Sequence, residues 1–283
     1  MIIWIASYPK SGNTWVRSLI SSYLYSENGI FDFKLLKKID QFPSKGYFDF
    51  FLKDLSNLKN VSKYWIPAQD RINLHNEGPT FLKTHSALCT LENNAFTNKI
   101  NTGAAIYVVR DPRNVITSFA HHYSMTPEES YEYITNKNHW ITHGVENKVD
   151  ETGIASILGS WSEHYKSWNN LSFAPLLVIK YEDLVSDPTK TFIKIIKFLS
   201  NIIKINVNEE KVINSVNSCS FDVLSNKEKK EGFFEAVPSK KTNEKIKFFN
   251  LGKNNNWKKL LDPKIEKKTR ETFHNEMKLL NYI

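Results

Sequence analysis

Three stretches of the chain are continuously apolar or nearly so, and each is cut off by a turn-forming or charged residue. Met1-Ile-Ile-Trp-Ile-Ala-Ser-Tyr8 runs apolar until Pro9 and Gly12 break it, and reads as a buried strand. Beyond the break, Trp15, Val16, Leu19, Ile20, Tyr23 and Leu24 recur on one side at helical spacing. Strand, short glycine-containing loop and helix make the front half of a parallel βαβ unit. Thr80–Thr84, Ala104–Val109 and Leu176–Ile179 read as three further strands. After the third, Asp111-Pro112 opens a helix expected to run to about Tyr123. After the fourth, Asp187-Pro188-Thr189 opens the helix Phe192–Leu199. Strands alternating with helices predict an α/β fold with a central, mostly parallel sheet covered on both faces.

Three long segments between these elements carry weak pattern. Phe31–Asn76 is rich in aromatics, Ser124–Gly153 holds one short helix candidate at Glu128–Ile134, and Lys227–Lys247 is charged, with Gly232 and Pro238 inside it. Segments of this length in a compact domain are often binding loops. No repeat, low-complexity linker or composition break marks a boundary, so residues 1–283 are expected to form a single domain.

Composition narrows the class. With 41% hydrophobic and 24% charged residues, the chain is foldable and neither disordered nor collagen-like. No stretch approaches the ~20 apolar residues of a membrane helix, and the opening run lacks the basic flank of a signal peptide. Cys89 and Cys219 are the only cysteines, too few for a disulfide framework, which points to a reducing cytoplasm. The net charge is +8, and Ser225–Arg270 alone carries 14 Lys or Arg against 6 Asp or Glu. That excess reads either as a lysine-rich solvated face or as a rim that attracts an anionic ligand.

The strongest local signal is Tyr8-Pro9-Lys10-Ser11-Gly12-Asn13-Thr14-Trp15, placed at a strand end and a helix start. Backbone N–H groups of such a turn converge on one spot, and the helix dipole favours an anion there. Lys10 adds a full charge, and Ser11, Asn13 and Thr14 add side-chain donors. The alternative is an ordinary β–α turn with a capping serine. A nucleotide-triphosphatase P-loop would need two glycines with four residues between them, followed by Lys-Ser/Thr, and one glycine stands here. Arg110 ends a strand at a helix start, a sound phosphate clamp. The other reading of Arg110 is a buried arginine paired with Asp111. Arg113 reads as a surface charge. His139 and His143 would share a helix face, but no third ligand and no intervening Glu accompanies them, so no metal is expected.

Taken together, these segments resemble the sulfotransferases that use 3′-phosphoadenosine 5′-phosphosulfate (PAPS). Tyr8–Trp15 is similar to their 5′-phosphosulfate loop, and Val109-Arg-Asp-Pro-Arg-Asn-Val-Ile-Thr-Ser118 to the signature that holds the 3′-phosphate. Lys83-Thr-His85, Gly159-Ser-Trp-Ser-Glu-His164-Tyr-Lys-Ser-Trp168 and Tyr181-Glu-Asp-Leu184 match in order and spacing, so the resemblance spans residue 2 to about 260. It implies the nucleotide-kinase-like sulfotransferase fold and PAPS as cofactor, leaving 3′-phosphoadenosine 5′-phosphate (PAP), with no metal.

The resemblance makes His85 the general base for the acceptor hydroxyl, a role suited to an imidazole that titrates near ~6.5. It places Lys10 to stabilise charge on the leaving bridge oxygen and Lys83 to steady the sulfuryl oxygens. Lys10, Ser11, Gly12, Asn13, Thr14 and Trp15 would bind the 5′ end, and Arg110 and Ser118 the 3′-phosphate. Tyr181 and Phe221 would join Trp15 around the adenine with Ser220 nearby, and His121 would serve pocket structure. The loop Leu251, Gly252 and Lys253 completes the set. It departs from the family where Asn250 replaces an arginine that helps clamp the 3′-phosphate, and Cys219 replaces a threonine.

The acceptor is expected to be a small molecule or carbohydrate hydroxyl, less favourably an amine, and the three weakly patterned segments would set its identity. Tyr47, Phe48, Phe51, Trp65 and Trp140 could stack on it or pack in the core. A magnesium-dependent ATP kinase, a basic RNA-binding protein and a nucleotide binder without catalysis are the competing readings. No nucleic-acid partner is expected.

Overall fold

The computed structural model describes residues 1–142, 154–238 and 244–283. Five strands form one sheet: β1 (Ile2–Ser7), β2 (Asp40–Gln41), β3 (Thr80–Thr84), β4 (Thr102–Val109) and β5 (Leu176–Lys180). Every pairing in it is parallel, in the order β2-β3-β1-β4-β5. The mostly parallel sheet expected from the pattern is therefore present, with one additional strand at its edge.

Side chains alternate across β1 and β4. Ile2, Trp4 and Ala6 join one apolar layer with Ala105, Tyr107 and Val109. Ile3 and Ile5 join the opposite layer with Ala104, Ile106 and Val108. Both faces are thus buried, which is why these strands read as unbroken apolar runs instead of alternating ones. The first layer is closed by α2 (Pro112–Tyr123) through Val115, Ile116 and Phe119, and by α3 (Trp161–Asn169) through Trp161, Tyr165 and Trp168. The second is closed by α1 (Asn13–Tyr25) through Val16, Leu19 and Ile20. It is also closed by α5 (Pro188–Ser200) through Phe192, Ile195, Ile196 and Leu199. Between β5 and α5 lies the short α4 (Tyr181–Ser186).

The register brings the strand ends to one edge. Ala6 pairs with Thr84, Ser7 with Val108, and Val109 with Lys180. Tyr8, His85, Arg110 and Tyr181 are the residues that follow, so four candidate segments leave the sheet side by side. Strand order reverses at β1, and a crevice at the carboxyl ends beside such a reversal is where open α/β sheets bind ligands.

The weakly patterned segments hold more order than the sequence suggests. Phe31–Asn76 contains β2, a 3₁₀ turn at Phe33–Lys38 and a helix at Trp65–His75. Phe48 and Trp65 are fully buried members of the first apolar layer, so they pack. Trp140 is exposed, on a short strand paired with Ala155–Ile157. No helix among the described residues is long and apolar enough to cross a membrane.

Candidate active site

The loop after β1 takes a conformation that only its sequence allows. Lys10 and Gly12 both have left-handed backbones, with φ of 65° and 103°. A Cβ at Gly12 would lie 2.6 Å from the Tyr181 ring, so that position needs glycine for both backbone and space. Arg110 donates from Nη1 to the Lys10 carbonyl at 3.0 Å and lies 4.1 Å from the Tyr181 ring centre. Trp15 meets the same ring edge-on at 5.9 Å. Lys10, Gly12, Trp15, Arg110 and Tyr181, from three segments far apart in sequence, thus form one cluster.

This cluster holds polar atoms with nothing to bind. The Ser11 hydroxyl, the Trp15 indole N–H and the Arg110 Nε are buried without a hydrogen-bond partner. Ser11 is therefore no capping serine, and Arg110 is not the partner of Asp111. That role falls to Arg113, which corrects the surface charge expected from sequence. Arg113 is 4% exposed, donates to the Asp111 carboxylate at 2.7 Å and to Glu266 at 3.2 Å, and lies 3.9 Å from the Trp257 ring centre. Asp111 caps α2 by accepting from the Arg113 backbone, and the Arg113 side chain folds back onto the same carboxylate. Arg110 is left to the crevice.

Asn13 also differs from expectation. Its amide donates to the Ile5 carbonyl at 2.9 Å and to the Ser7 hydroxyl at 3.2 Å, so the side chain ties the loop to β1.

His85 stands beside the end of β1. Its Nδ1 lies 2.8 Å from the Ser7 carbonyl, which can only accept, so Nδ1 carries a proton and donates to it. Helix α3 braces this edge. His164 donates from Nε2 to the His85 carbonyl at 3.0 Å and accepts the Tyr107 hydroxyl at Nδ1. Trp161 and Trp168 donate to the carbonyls of Arg110 and Ser86. Burial pushes the His164 imidazole down to about 4, so it stays neutral in this role.

The charges on the crevice are unusual. Lys10, 4.4 Å from the Phe248 ring centre, is lowered to about 7, first by burial, with Arg110 and Lys83 pushing further and Glu235 pulling back. Lys83 donates to Glu235 Oε1 at 3.2 Å, Thr14 donates to Oε2 at 2.7 Å, and Arg17 adds a third contact. Burial raises the Glu235 carboxyl, but Lys83 and Arg17 outweigh it and hold the group well below the usual carboxylate range. Sequence reading missed both Arg17 and Glu235. A lone Arg on a helix and a Glu in a charged loop, 218 positions apart, give no signal of meeting.

The remaining candidates gather around a second loop. A cleft of about 270 Å³ lies between α4 and the Gly252 turn, lined by Asn114, Tyr181, Gly252, Lys253 and Trp257. A Cβ at Gly252 would come within 2.5 Å of the Phe221 ring, so that turn lies directly on Phe221. Ser220 precedes the helix Phe221–Glu231 and makes no side-chain cap, while Ser118 is half-buried on α2 and Leu251 is exposed. Glu228 accepts from the Phe248 and Phe249 N–H groups and fixes the approach to the turn. His121 is exposed and bonds the Lys247 carbonyl, while His122 is the buried member of the pair, edge-on to Phe248. His143 lies outside the described residues.

The family model for the sulfotransferase domain matches residues 2–281. The chain belongs to the sulfotransferase domain family. Among curated sulfotransferases, flavonol 3-sulfotransferase of Flaveria bidentis is 27% identical over 94% of this chain and 78% of its own length. Human sulfotransferase 1E1 is 25% identical over 97% and 83%. Bovine sulfotransferase 1A1 is 26% identical over 77% of this chain, and the match spans 63% of the bovine protein. Among solved structures, mouse sulfotransferase SULT7A1 complexed with PAP aligns over 98% of this chain and 84% of its own, with a TM-score of 0.61 and 22% identity. Retinol dehydratase in complex with androsterone and PAP aligns over 98% and 80%, with a TM-score of 0.62 and 17% identity. These two likenesses establish the sulfotransferase fold; four of the five sequence matches fall on strand ends of the sheet and the fifth, Gly159–Trp168, forms α3.

Proposed function

We propose that this protein transfers a sulfuryl group from PAPS to the hydroxyl of a small acceptor, and that it works in the cytoplasm. The observation that carries the reading is the set of buried, unpartnered donors on Ser11, Trp15 and Arg110, gathered beside the half-buried Lys10 side chain. Orphaned buried donors are costly unless a ligand satisfies them, and donors plus cations call for an anion. The residues present therefore fit a phosphosulfate nucleotide.

PAPS supplies an activated sulfuryl group attached through a bridge oxygen to phosphate. Lys10, Ser11, Thr14 and the N–H groups of Gly12 and Asn13 hold its 5′ end, and Arg110 with Ser118 and the Gly252–Lys253 turn holds the 3′-phosphate. Trp15, Tyr181 and Phe221 offer aromatic faces to the adenine, with Ser220 beside them. Lys10 provides positive charge where the leaving oxygen develops negative charge, and Lys83 does so for the sulfuryl oxygens. His85 accepts the acceptor's proton at Nε2, while its Nδ1–H stays on the Ser7 carbonyl. In the place of the family arginine, Asn250 leaves Lys253 and the backbone of the turn to complete the 3′-phosphate clamp.

The names of the relatives speak for a hydroxylated ring as acceptor. One acts on a flavonol, another is a 3-alpha-hydroxysteroid sulfotransferase. A carbohydrate hydroxyl presents the same nucleophile. The test is calorimetry with PAP and, separately, ATP plus magnesium, on wild type and Arg110→Ala, followed by PAPS turnover with a flavonol and steroid panel. Micromolar PAP binding, weakened at least tenfold in Arg110→Ala, and turnover abolished in His85→Ala are expected. Preference for ATP with magnesium, or undiminished turnover in His85→Ala, overturns the reading.

A further inference from the structure

We propose that Glu235 is an internal counter-anion that occupies the phosphosulfate pocket of the empty protein and must leave before cofactor enters. The inference rests on the PAPS reading above. The Glu235 carboxylate takes the Thr14 hydroxyl at 2.7 Å and Lys83 at 3.2 Å, two groups assigned there to the phosphosulfate, and also the Arg17 guanidinium. Arg17 is fixed from behind by the carbonyls of Leu36 and Ile39 at 3.2 and 2.9 Å, so it cannot follow the carboxylate out.

The electrostatic reason is direct. Without an anion, Lys10, Lys83, Arg17 and Arg110 crowd one buried edge of the sheet and repel one another. A carboxylate with two oxygens on three donors relieves that repulsion. When a phosphosulfate arrives, the same carboxylate becomes a like charge within the pocket, and the two anions compete for Thr14 and Lys83. The segment bearing Glu235 is suited to release it. It leaves the helix Phe221–Glu231 at Gly232, whose φ of 73° is open to glycine and whose Cβ position faces empty space. Phe233 anchors it in the second apolar layer, while the next side chain, Phe234, is 54% exposed. Glu235 thus lies between two anchors, Phe233 and Ala236 on the second apolar layer, with the Val237 carbonyl held by the Ile246 N–H at 2.8 Å, so release is a swing of its side chain about the Gly232 turn and not a loss of the whole segment.

The inference is distinct from a structural ion pair because it gives opposite signs to two measurements. Glu235→Gln keeps the shape and removes the charge. Its thermal stability without nucleotide is expected to fall, since Arg17 and Lys83 lose their counter-charge. Its affinity for PAP is expected to rise about tenfold, the scale of one charge-assisted hydrogen bond. PAP binding no tighter than in wild type overturns the proposal. Should the variant fail to fold, hydrogen exchange in the wild type decides. Amides of 233–237 losing protection when PAP binds supports displacement, and unchanged or greater protection refutes it. If PAP binds neither protein, the cofactor reading itself has failed. Inorganic pyrophosphate, titrated into both, then tests the counter-anion alone: tighter binding to Glu235→Gln supports it, and equal or absent binding overturns it.

Discussion

Lys10 is the group whose chemistry can be read most directly in solution. Burial lowers it to about 7 in the free protein, against an ordinary lysine value of 10.5. A polyanion bound at the loop favours the charged form and returns the amine toward its ordinary range. At pH 8 a group titrating at 7 is only about one-tenth protonated when free and almost fully protonated when bound. PAP binding should then take up about 0.9 of a proton, falling to about 0.5 at pH 7. The sign follows from the same linkage. Because the bound state holds more protons, affinity falls as pH rises, by up to about tenfold per unit between pH 7 and 10. Glu235 does not confuse the count at these pH values, since its carboxyl is held far below them whether in or out of the pocket. The assay is calorimetry at pH 8 in two buffers of different ionisation enthalpy, on wild type and Lys10→Met. Uptake near one proton in wild type that disappears in the variant is expected. No uptake at pH 8, or equal uptake in both proteins, refutes the argument that Lys10 is the buried cation at the anion site.

Two further substitutions test the geometry. Gly12→Ala forces an L residue to φ 103° and places its Cβ 2.6 Å from the Tyr181 ring. Unfolding free energy is expected to drop by about 1–3 kcal/mol in urea titration, with PAP binding weakened more than tenfold. Unaltered PAP affinity would show that the Gly12–Tyr181 approach does not shape the site. Arg113→Met leaves Asp111 as a buried carboxylate without its counter-ion. It should cost about 3 kcal/mol of stability by the same titration, and an unchanged midpoint would contradict the structural role assigned to Arg113.

Strands β1 and β4 were readable because burial on both faces writes itself as unbroken apolar runs, β3 and β5 as short apolar-rich stretches, and α1 and α2 because glycine and Asp-Pro mark their starts. The helix Trp65–His75 was not, because Pro67 reads as a breaker although a first-turn proline is tolerated. The edge strand Asp40–Gln41 is polar, two residues long and paired on one side only, so it leaves no periodic trace. The meeting of the Lys10 loop, Arg110 and His85 at one sheet edge was legible through their places at strand ends. The division of labour between Arg110 and Arg113 was not, since both stand near one carboxylate in sequence, and only the fold of α2 turns one inward to Asp111 and the other to the crevice. Glu235 was invisible for a more general reason. A neutralising carboxylate can arrive from any distant loop, and nothing local requires it.

The hydrogen bond from His85 to the Ser7 carbonyl joins the proposed base to the very peptide that launches the anion loop. On the proposed mechanism, sulfate donor and proton acceptor share a common backbone chassis, with α3 bolted across it through His164 and Trp161. On that mechanism the spacing of β1 and β3 fixes loop and base relative to one another, independently of the acceptor. The weakly patterned segments are then free to be rewritten for a different alcohol without recalibrating that gap.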